Sequence, residues 1–589
     1  MTAPDAKAPN KNAVVARIAW LALILATLYV CYFSHLGAIG LVGPDEPRYA
    51  WIARDMAETG DWVTPRLYGR PWFEKPPLYY WGAAMCFKLF GVSEVAARLP
   101  SALSALLATL AVGWLAWRVY GAATARWLLL FLPTSVAMIG FSHAAATDMP
   151  FSAMLTIAMV CVAVVLDLPA DESWAPGGQH PAALPNENGV APRWPALILF
   201  GFFMGLAVLA KGPAGVILCG GVVFFWVLGT KRWRDALRLL HPAAIAAFCA
   251  TALPWYILCG RRNPDFFRIF IIEHNVKRYL TPEFRHLQPF WFYIPVLLIS
   301  IFPWVGMAIS AVDYAIRRRL GMQLDSLTIY VFSWAWFPVI FFSVSKSKLP
   351  GYILPAIPAF VLLTALALAN SLRAEKAPVP AGLAVIRVTP ALAIAVVGAT
   401  GFFQPWGRTA EFRWYGLQCL LLSSIATVAA VALRTRKRQG AAIVTGSAAW
   451  VCLLLLTTSG PLPWSDPWFS ARPMASEVLR DPEMAAEVRT LGLQRSWQFG
   501  LDFYLQRELQ EWDSSAPAGY VLASASGMQE LNRHRIPFQV LDQRSFKATL
   551  IRVGNLQADR DRRQKAELPA PRPKETSGLV ADTAGGQAQ

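Results

Sequence analysis

The sequence predicts an all-α polytopic membrane protein of about thirteen transmembrane helices, with interfacial helices on one side and a small C-terminal α/β domain. Three observations carry this. Of 589 residues, 55% are hydrophobic and only 15% charged, whereas soluble domains carry about 25% charged residues. Apolar runs of roughly the 20 residues that span a bilayer recur from residue 14 to residue 458. The short basic loops between those runs fall on one side when the crossings are counted.

The elements follow in chain order. Residues 1–13 form a polar, inward-facing tail. Spans are expected near 14–34, 98–117, 127–141, 149–166, 195–210, 213–229, 241–259, 289–312, 327–345, 352–370, 384–403, 414–433 and 441–458. The first is too long for a signal peptide and is read as an uncleaved anchor. With the N-terminus inside, Lys231-Arg-Trp-Arg234 with Arg238, Arg317-Arg-Arg319 and Arg434-Thr-Arg-Lys-Arg438 all fall inside, as the positive-inside rule requires. The inner loop 167–194 is Pro-rich and acidic and reads as a flexible insert. Loops 35–97, 142–148, 260–288, 346–351 and 404–413 fall outside, and so does the region after residue 458.

Within 35–97, Pro47 to Glu58 reads as an interfacial helix, with Tyr49, Ile52, Ala53 and Met56 on one face. Leu78 to Val92 is apolar but short for a span, so it too is placed in the interface. Beyond the spans, alternation at Tyr520–Ala523, Phe538–Leu541 and Ala548–Ile551 predicts strands, and the pattern around Met474–Leu491 predicts helix. An α/β domain over 459–556 follows, with a charged, then small and polar, tail at 557–589 expected to be disordered.

A net charge of +17 would suit nucleic acid, but here it is spent in topology-setting loops, so a nucleic-acid partner is set aside in favour of the bilayer. The eight Cys are scattered through apolar segments, with neither metal-cluster nor disulfide spacing.

Polar residues crowd at Gly43-Pro-Asp-Glu-Pro-Arg-Tyr-Ala50 and Phe73-Glu-Lys-Pro-Pro77, directly after the first span. Ionisable groups at a membrane face are costly and mark a site or its access path. Asp45 and Glu46 also fit a helix N-terminus ahead of Pro47, and Asp148 fits the start of its own span. Positive charge on the outer loop 260–288, including Arg261, Arg262 and Arg278, runs against the topology bias and points to phosphate. Lys346 and Lys348 suit phosphate too, and equally suit snorkelling at a helix end. His274 and His286 with a carboxylate such as Glu74 give a set for a divalent ion, without tight ligand spacing.

Pro44-Asp-Glu-Pro-Arg-Tyr-Ala50, Gly60-Asp-Trp62, Phe73-Glu-Lys-Pro76, Glu273-His274, Pro289-Phe-Trp291, Pro303-Trp304 and Ser345-Lys-Ser-Lys-Leu-Pro-Gly-Tyr-Ile-Leu-Pro355 together resemble the bacterial lipid A aminoarabinose transferases. These belong to the wider C-type, polyprenyl-phosphate-dependent glycosyltransferases that include protein mannosyltransferases. The resemblance covers residues 14 to about 458. It implies a C-type glycosyltransferase fold in the bacterial inner membrane, with the active site facing the periplasm. It also implies transfer of 4-amino-4-deoxy-L-arabinose from undecaprenyl phosphate to a lipid A phosphate, and through it resistance to polymyxin-type peptides. Asp45, Glu46 and Asp148 are then the catalytic candidates. Arg48, Tyr49, Lys75 and Tyr352 join the outer Arg and Lys residues as donor- and phosphate-binding candidates. A required cofactor is not implied beyond the divalent ion already named.

Two rivals stand beside this reading. One is a transferase of the same fold with another sugar or a protein acceptor. The other is a lipid flippase or transporter, which should carry mid-membrane charges, broken helices or internal repeats. The acids here sit at the outer margins instead, which favours an enzyme.

Overall fold

The computed structural model describes residues 11–168, 193–277, 288–309, 325–373, 389–403, 410–436, 438–513, 518–543 and 547–554. The chain forms two compact units: Met1–Ala475 with Arg495–Glu508, and Ser476–Gln494 with Leu509–Gln589. The tail at 557–589, most of the insert at 167–194 and the basic loop 317–319 lie outside the described residues.

The first unit is helical. Its leading helices are α1 (Lys11–Tyr32), α2 (Asp45–Thr59), α3 (Leu78–Phe90), α4 (Glu94–Tyr120), α5 (Ala122–Phe131), α6 (Val136–Ser142), α7 (Asp148–Val165), α8 (Trp194–Lys211) and α9 (Ala214–Thr230). Among the described residues, nine helices are long and apolar enough to cross a membrane, or ten if the bent pair of α5 and α6 counts as one span. Large apolar side chains such as Leu107, Ile340 and Ile425 are exposed on them. In water such faces would aggregate, and in lipid they are solvated. The chain is a multi-pass membrane protein.

Each of the thirteen expected stretches contains a helix, but among the described residues four fall short of a straight, full span. The stretch 127–141 is broken at Pro133, where α5 and α6 meet at 60°. Proline removes a ladder hydrogen bond there. The Thr134 and Ser135 hydroxyls donate back to the Leu130 and Phe131 carbonyls, which the break would otherwise strand. α9 and Phe290–Ser300 are too short, and 384–403 holds a 15-residue helix, Thr389–Phe403.

α7 and Pro350–Leu372 are the most deeply buried of the long helices. α2 and α3 lie between α1 and α4 in sequence, and they pack together through Tyr49, Tyr79 and Tyr80, with ring centroids 5.7–6.1 Å apart. Tyr49, Ile52, Ala53 and Met56 are buried along one face of α2, as their spacing predicts. Gly60, in the left-handed conformation at φ 74°, ends that helix. A small hairpin, β1 (Arg66–Leu67) and β2 (Arg70–Pro71), separates α2 from α3. The helix Arg495–Leu505 returns to this unit, and its Phe503 joins the α2–α3 core.

The second unit holds a four-stranded sheet of order β3-β4-β6-β5, built from β3 (Arg489–Leu491), β4 (Gly519–Ala523), β5 (Phe538–Asp542) and β6 (Thr549–Val553). β3 runs parallel to β4, and the other pairs are antiparallel. Leu491, Val521 and Ile551 form its core. The helix expected through Leu491 is two short pieces instead. Pro482–Glu487 is capped by the Asp481 carboxylate, and Val488 then turns the chain into β3.

Candidate active site

The site grows from helix ends. Asp45 opens α2 and Asp148 opens α7, where the positive end of a helix dipole favours a carboxylate. Lys211 closes α8, where the negative end favours an ammonium. The fold brings these ends together. The Lys211 ammonium lies 2.5 Å from Asp148 Oδ1, and it sits over the Tyr352 ring at 4.9 Å and the Phe151 ring at 5.5 Å. Tyr352 stands in the 3-10 turn Pro350–Ala356. Gly351 in that turn is required by close approach, because a Cβ there would meet Asp148 Oδ1 at 2.6 Å and the Phe141 ring at 2.9 Å.

Beside this pair stands a second charged group. Arg48 Nη2 contacts Asp45 Oδ1 at 2.5 Å and Glu74 Oε2 at 3.0 Å, and Lys75 Nζ lies 3.4 Å from Glu74 Oε1. The Arg48 guanidinium is also ringed by Tyr49, Trp72 and Phe499, at 5.1, 5.4 and 5.7 Å from their centroids. Burial works against its charge, but Glu74 and then Tyr49 and Asp45 outweigh that, so Arg48 holds its proton more tightly than a free arginine.

Asp45 links the two groups. About half of its side chain is exposed, yet protein crowds it closely enough that desolvation raises its pKa. Arg48 and Lys75 oppose that rise, and Glu74 and Asp148 add to it. A carboxylate that water reaches while protein surrounds it sits in a concave surface, and Arg48, Glu74, Lys75 and Asp148 are all near enough to act on its charge.

Glu46, expected alongside Asp45, is placed differently. It is 5% exposed. Its Oε1 accepts from Arg98 Nε and the Ala145 amide, and its Oε2 from Arg98 Nη2 and the Val42 amide. With four protein donors on its two oxygens, Glu46 holds the start of α2 against the turn that leads to Asp148.

The outer basic residues are dispersed. Arg261 and Arg262 end the helix Pro242–Arg262 and are exposed. Arg262 pairs with Asp61 at 3.1 Å. Asp61 also accepts from the Val63 and Thr64 amides and pairs with Arg66, and these contacts together hold its pKa low despite desolvation. Lys346 is exposed. Lys348 is buried, donating to the Ser345 and Gln288 carbonyls at 2.6 and 3.0 Å. Burial and then the charge of Lys346 lower its pKa. Arg278 and His286 lie outside the described residues, as does the side chain of His274.

For a divalent ion the fit is poor at Glu74, whose carboxylate is flanked by two cations. No group of three His, Cys, Asp or Glu suited to a metal occurs among the described residues. Sequence reading missed Lys211, which stands before Gly212-Pro213 at the end of an apolar stretch. It also missed Phe499, which lies beyond the region of resemblance.

Residues 18–270 match the family model described as dolichyl-phosphate-mannose-protein mannosyltransferase. The undecaprenyl phosphate-alpha-4-amino-4-deoxy-L-arabinose arabinosyl transferase of Edwardsiella ictaluri is 32% identical over 343 residues, 58% of each chain. Arabinosyl transferase 2 of that name from Pseudomonas fluorescens is 32% identical over 359 residues, covering 60% of this chain and 61% of the relative. The match thus spans less than two thirds of the length of these relatives. In structure, the chain is similar to ArnT from Cupriavidus metallidurans bound to undecaprenyl phosphate. The TM-score is 0.70 at 24% identity, over 91% of this chain and 98% of the other; the apo structure of that protein matches equally. The chain thus shares the fold of that protein over 91% of its length and is similar in sequence to the aminoarabinose arabinosyl transferases over 58–60% of it, while its residues 18–270 match the mannosyltransferase family model.

Proposed function

We propose that this chain is a membrane glycosyltransferase that moves 4-amino-4-deoxy-L-arabinose from undecaprenyl phosphate to a phosphate of lipid A, at the periplasmic face of a bacterial inner membrane. The observation that carries this reading is the meeting of two helix-opening carboxylates, Asp45 and Asp148, with the cations Arg48, Lys75 and Lys211.

Two anionic lipids repel as they approach, and a cluster of cations at the meeting point offsets that repulsion. The bond from the sugar C1 to the donor phosphate oxygen breaks, and its electron pair leaves with undecaprenyl phosphate. An oxygen of the acceptor phosphate then forms the new bond to C1. Charge grows on the leaving phosphate, so preplaced Lys75 and Lys211 stabilise the transition state more than the ground state. The acceptor phosphate is already ionised near neutral pH and needs little help from a base. Asp45, half exposed, is the acid open to the cationic 4-amino group and the positive character at C1, while Asp148 is tied to Lys211.

In this reading the chain crosses the membrane thirteen times, the nine long helices being joined by the bent pair and three shorter helices. An odd count sets the cytoplasmic N-terminus and the region after residue 458, with its sheet, on opposite sides. The reaction would confer polymyxin-type resistance. The mannosyltransferase match supports a second reading, in which a hydroxyl is the acceptor and Asp45 takes its proton.

Proteoliposomes holding the purified protein, the lipid-linked aminosugar and either lipid A or a Ser/Thr peptide test both. Release of undecaprenyl phosphate only with lipid A, reduced about 100-fold or more by Asp45→Asn, is the expected result. Release only with the peptide would select the second reading, and release with neither would refute both.

A further inference from the structure

In the loop that leads from α1 to Asp45, side chains take many of the backbone groups between Leu36 and Val42. Arg98 donates to the Leu36 and Ile39 carbonyls at 2.7 Å and to the Gly40 carbonyl at 2.8 Å. Arg472 donates to the Gly37 carbonyl at 3.0 Å and the Ala38 carbonyl at 3.2 Å. Two guanidinium groups therefore take five consecutive carbonyls. The amides that follow are also held by side chains: Gly40 by Asp466 Oδ1, Leu41 by the Tyr504 hydroxyl and Val42 by Glu46, at 2.8, 2.8 and 2.7 Å. Buried backbone groups must find partners, and here every one of these partners is a side chain that could be removed singly.

Arg472, Asp466 and Tyr504 come from the chain beyond residue 458, outside the region of resemblance. Asp466 is 5% exposed, and it takes Arg472 Nη2 at 2.6 Å and the Ser470 hydroxyl at 2.5 Å. Arg472 Nη1 also reaches Glu94 at the start of α4 at 3.3 Å. Gly40 fits against this group only because it lacks a Cβ, which would meet the Tyr504 hydroxyl at 2.8 Å and Arg472 Cβ at 2.9 Å.

We infer that Arg472, oriented by Asp466, is a positioning residue for Asp45: it fixes the 36–42 loop and through it the start of α2. This rests on the proposed transfer reaction for its kinetic consequence, but not for its structural one. The substitutions Arg472→Met and Asp466→Asn, in the full chain in lipid nanodiscs, test it with two readouts. Hydrogen exchange at the Gly40, Leu41 and Val42 amides should accelerate roughly tenfold or more, the equivalent of a lost charge-assisted hydrogen bond, with α7 and α8 unchanged. The kcat for transfer should fall about 10- to 100-fold, as for a misplaced catalytic group, with the donor KM kept. Arg472→Lys should recover part of the loss.

Unaltered exchange at 40–42 in both variants would overturn the inference. So would faster exchange with kcat unaltered, or a uniform loss of folded protein whose remaining fraction has wild-type kcat. If wild type transfers no sugar at all, the proposed reaction fails, and the exchange data alone decide whether Arg472 holds the loop.

Discussion

Replacing Lys211 with Met keeps most of the length of the side chain and removes its charge. The ammonium sits 2.5 Å from Asp148 Oδ1, with 14% and 25% of the two side chains exposed. At an effective dielectric of about 20, such a contact carries roughly 6–7 kcal/mol of attraction before desolvation is counted. Desolvation cancels much of this, and water reaching Asp148 brings the cost of breaking the pair to about 2–3 kcal/mol, at or below the low end for buried pairs. If that loss falls on the transition state, kcat/KM drops about 30- to 150-fold. The assay is sugar transfer in proteoliposomes, read by mass spectrometry of the product lipid, with thermal unfolding in detergent as the folding control. Asp148→Asn and the double variant complete a cycle, in which the coupling should reach about 2 kcal/mol. A Lys211→Met enzyme within threefold of wild type, or additive effects in the cycle, would refute the pairing as part of the site.

Other consequences follow from the same geometry. Asp45 must be ionised to act and its pKa is raised by desolvation, so activity should rise with pH along a limb above the ordinary Asp value of 3.8. Arg48→Met removes a charge that favours the carboxylate and should move that limb up, whereas Asp148→Asn removes a repelling charge and should move it down; pH profiles of kcat/KM read both. Arg98→Leu strands the buried Glu46 and three loop carbonyls, so about 3–5 kcal/mol of stability should be lost, seen as poor recovery of folded protein. Gly351→Ala pushes a methyl group against Asp148 and Phe141, at a cost of about 1–3 kcal/mol; transfer should fall more than the unfolding temperature does.

The acids of the site were legible because Asp45 and Asp148 stand at the outer margins of apolar segments, where a charge needs a reason. Lys211 was not, since a Lys before Gly-Pro reads as an ordinary helix end. Its contact with Asp148 exists only because α8 ends where α7 begins, 63 residues apart in sequence. Glu46 and Asp45 look alike as neighbours, and only the fold separates them, burying Glu46 under Arg98 while leaving Asp45 open. Hydropathy located the nine long apolar helices among the described residues, but apolar length does not reveal that Pro133 breaks the stretch 127–141 into a bent pair. The strand β3 is too short to show alternation. The contribution of Arg472 and Phe499 was hidden because it depends on a return of the chain that no local pattern encodes.

The most direct measurement is mass spectrometry of lipid A from cells that make the aminosugar donor, with and without this protein. One or two added aminoarabinose units are expected, absent when Asp45→Asn replaces the wild type at equal abundance. Unmodified lipid A from cells holding the folded wild-type protein and its donor would contradict it.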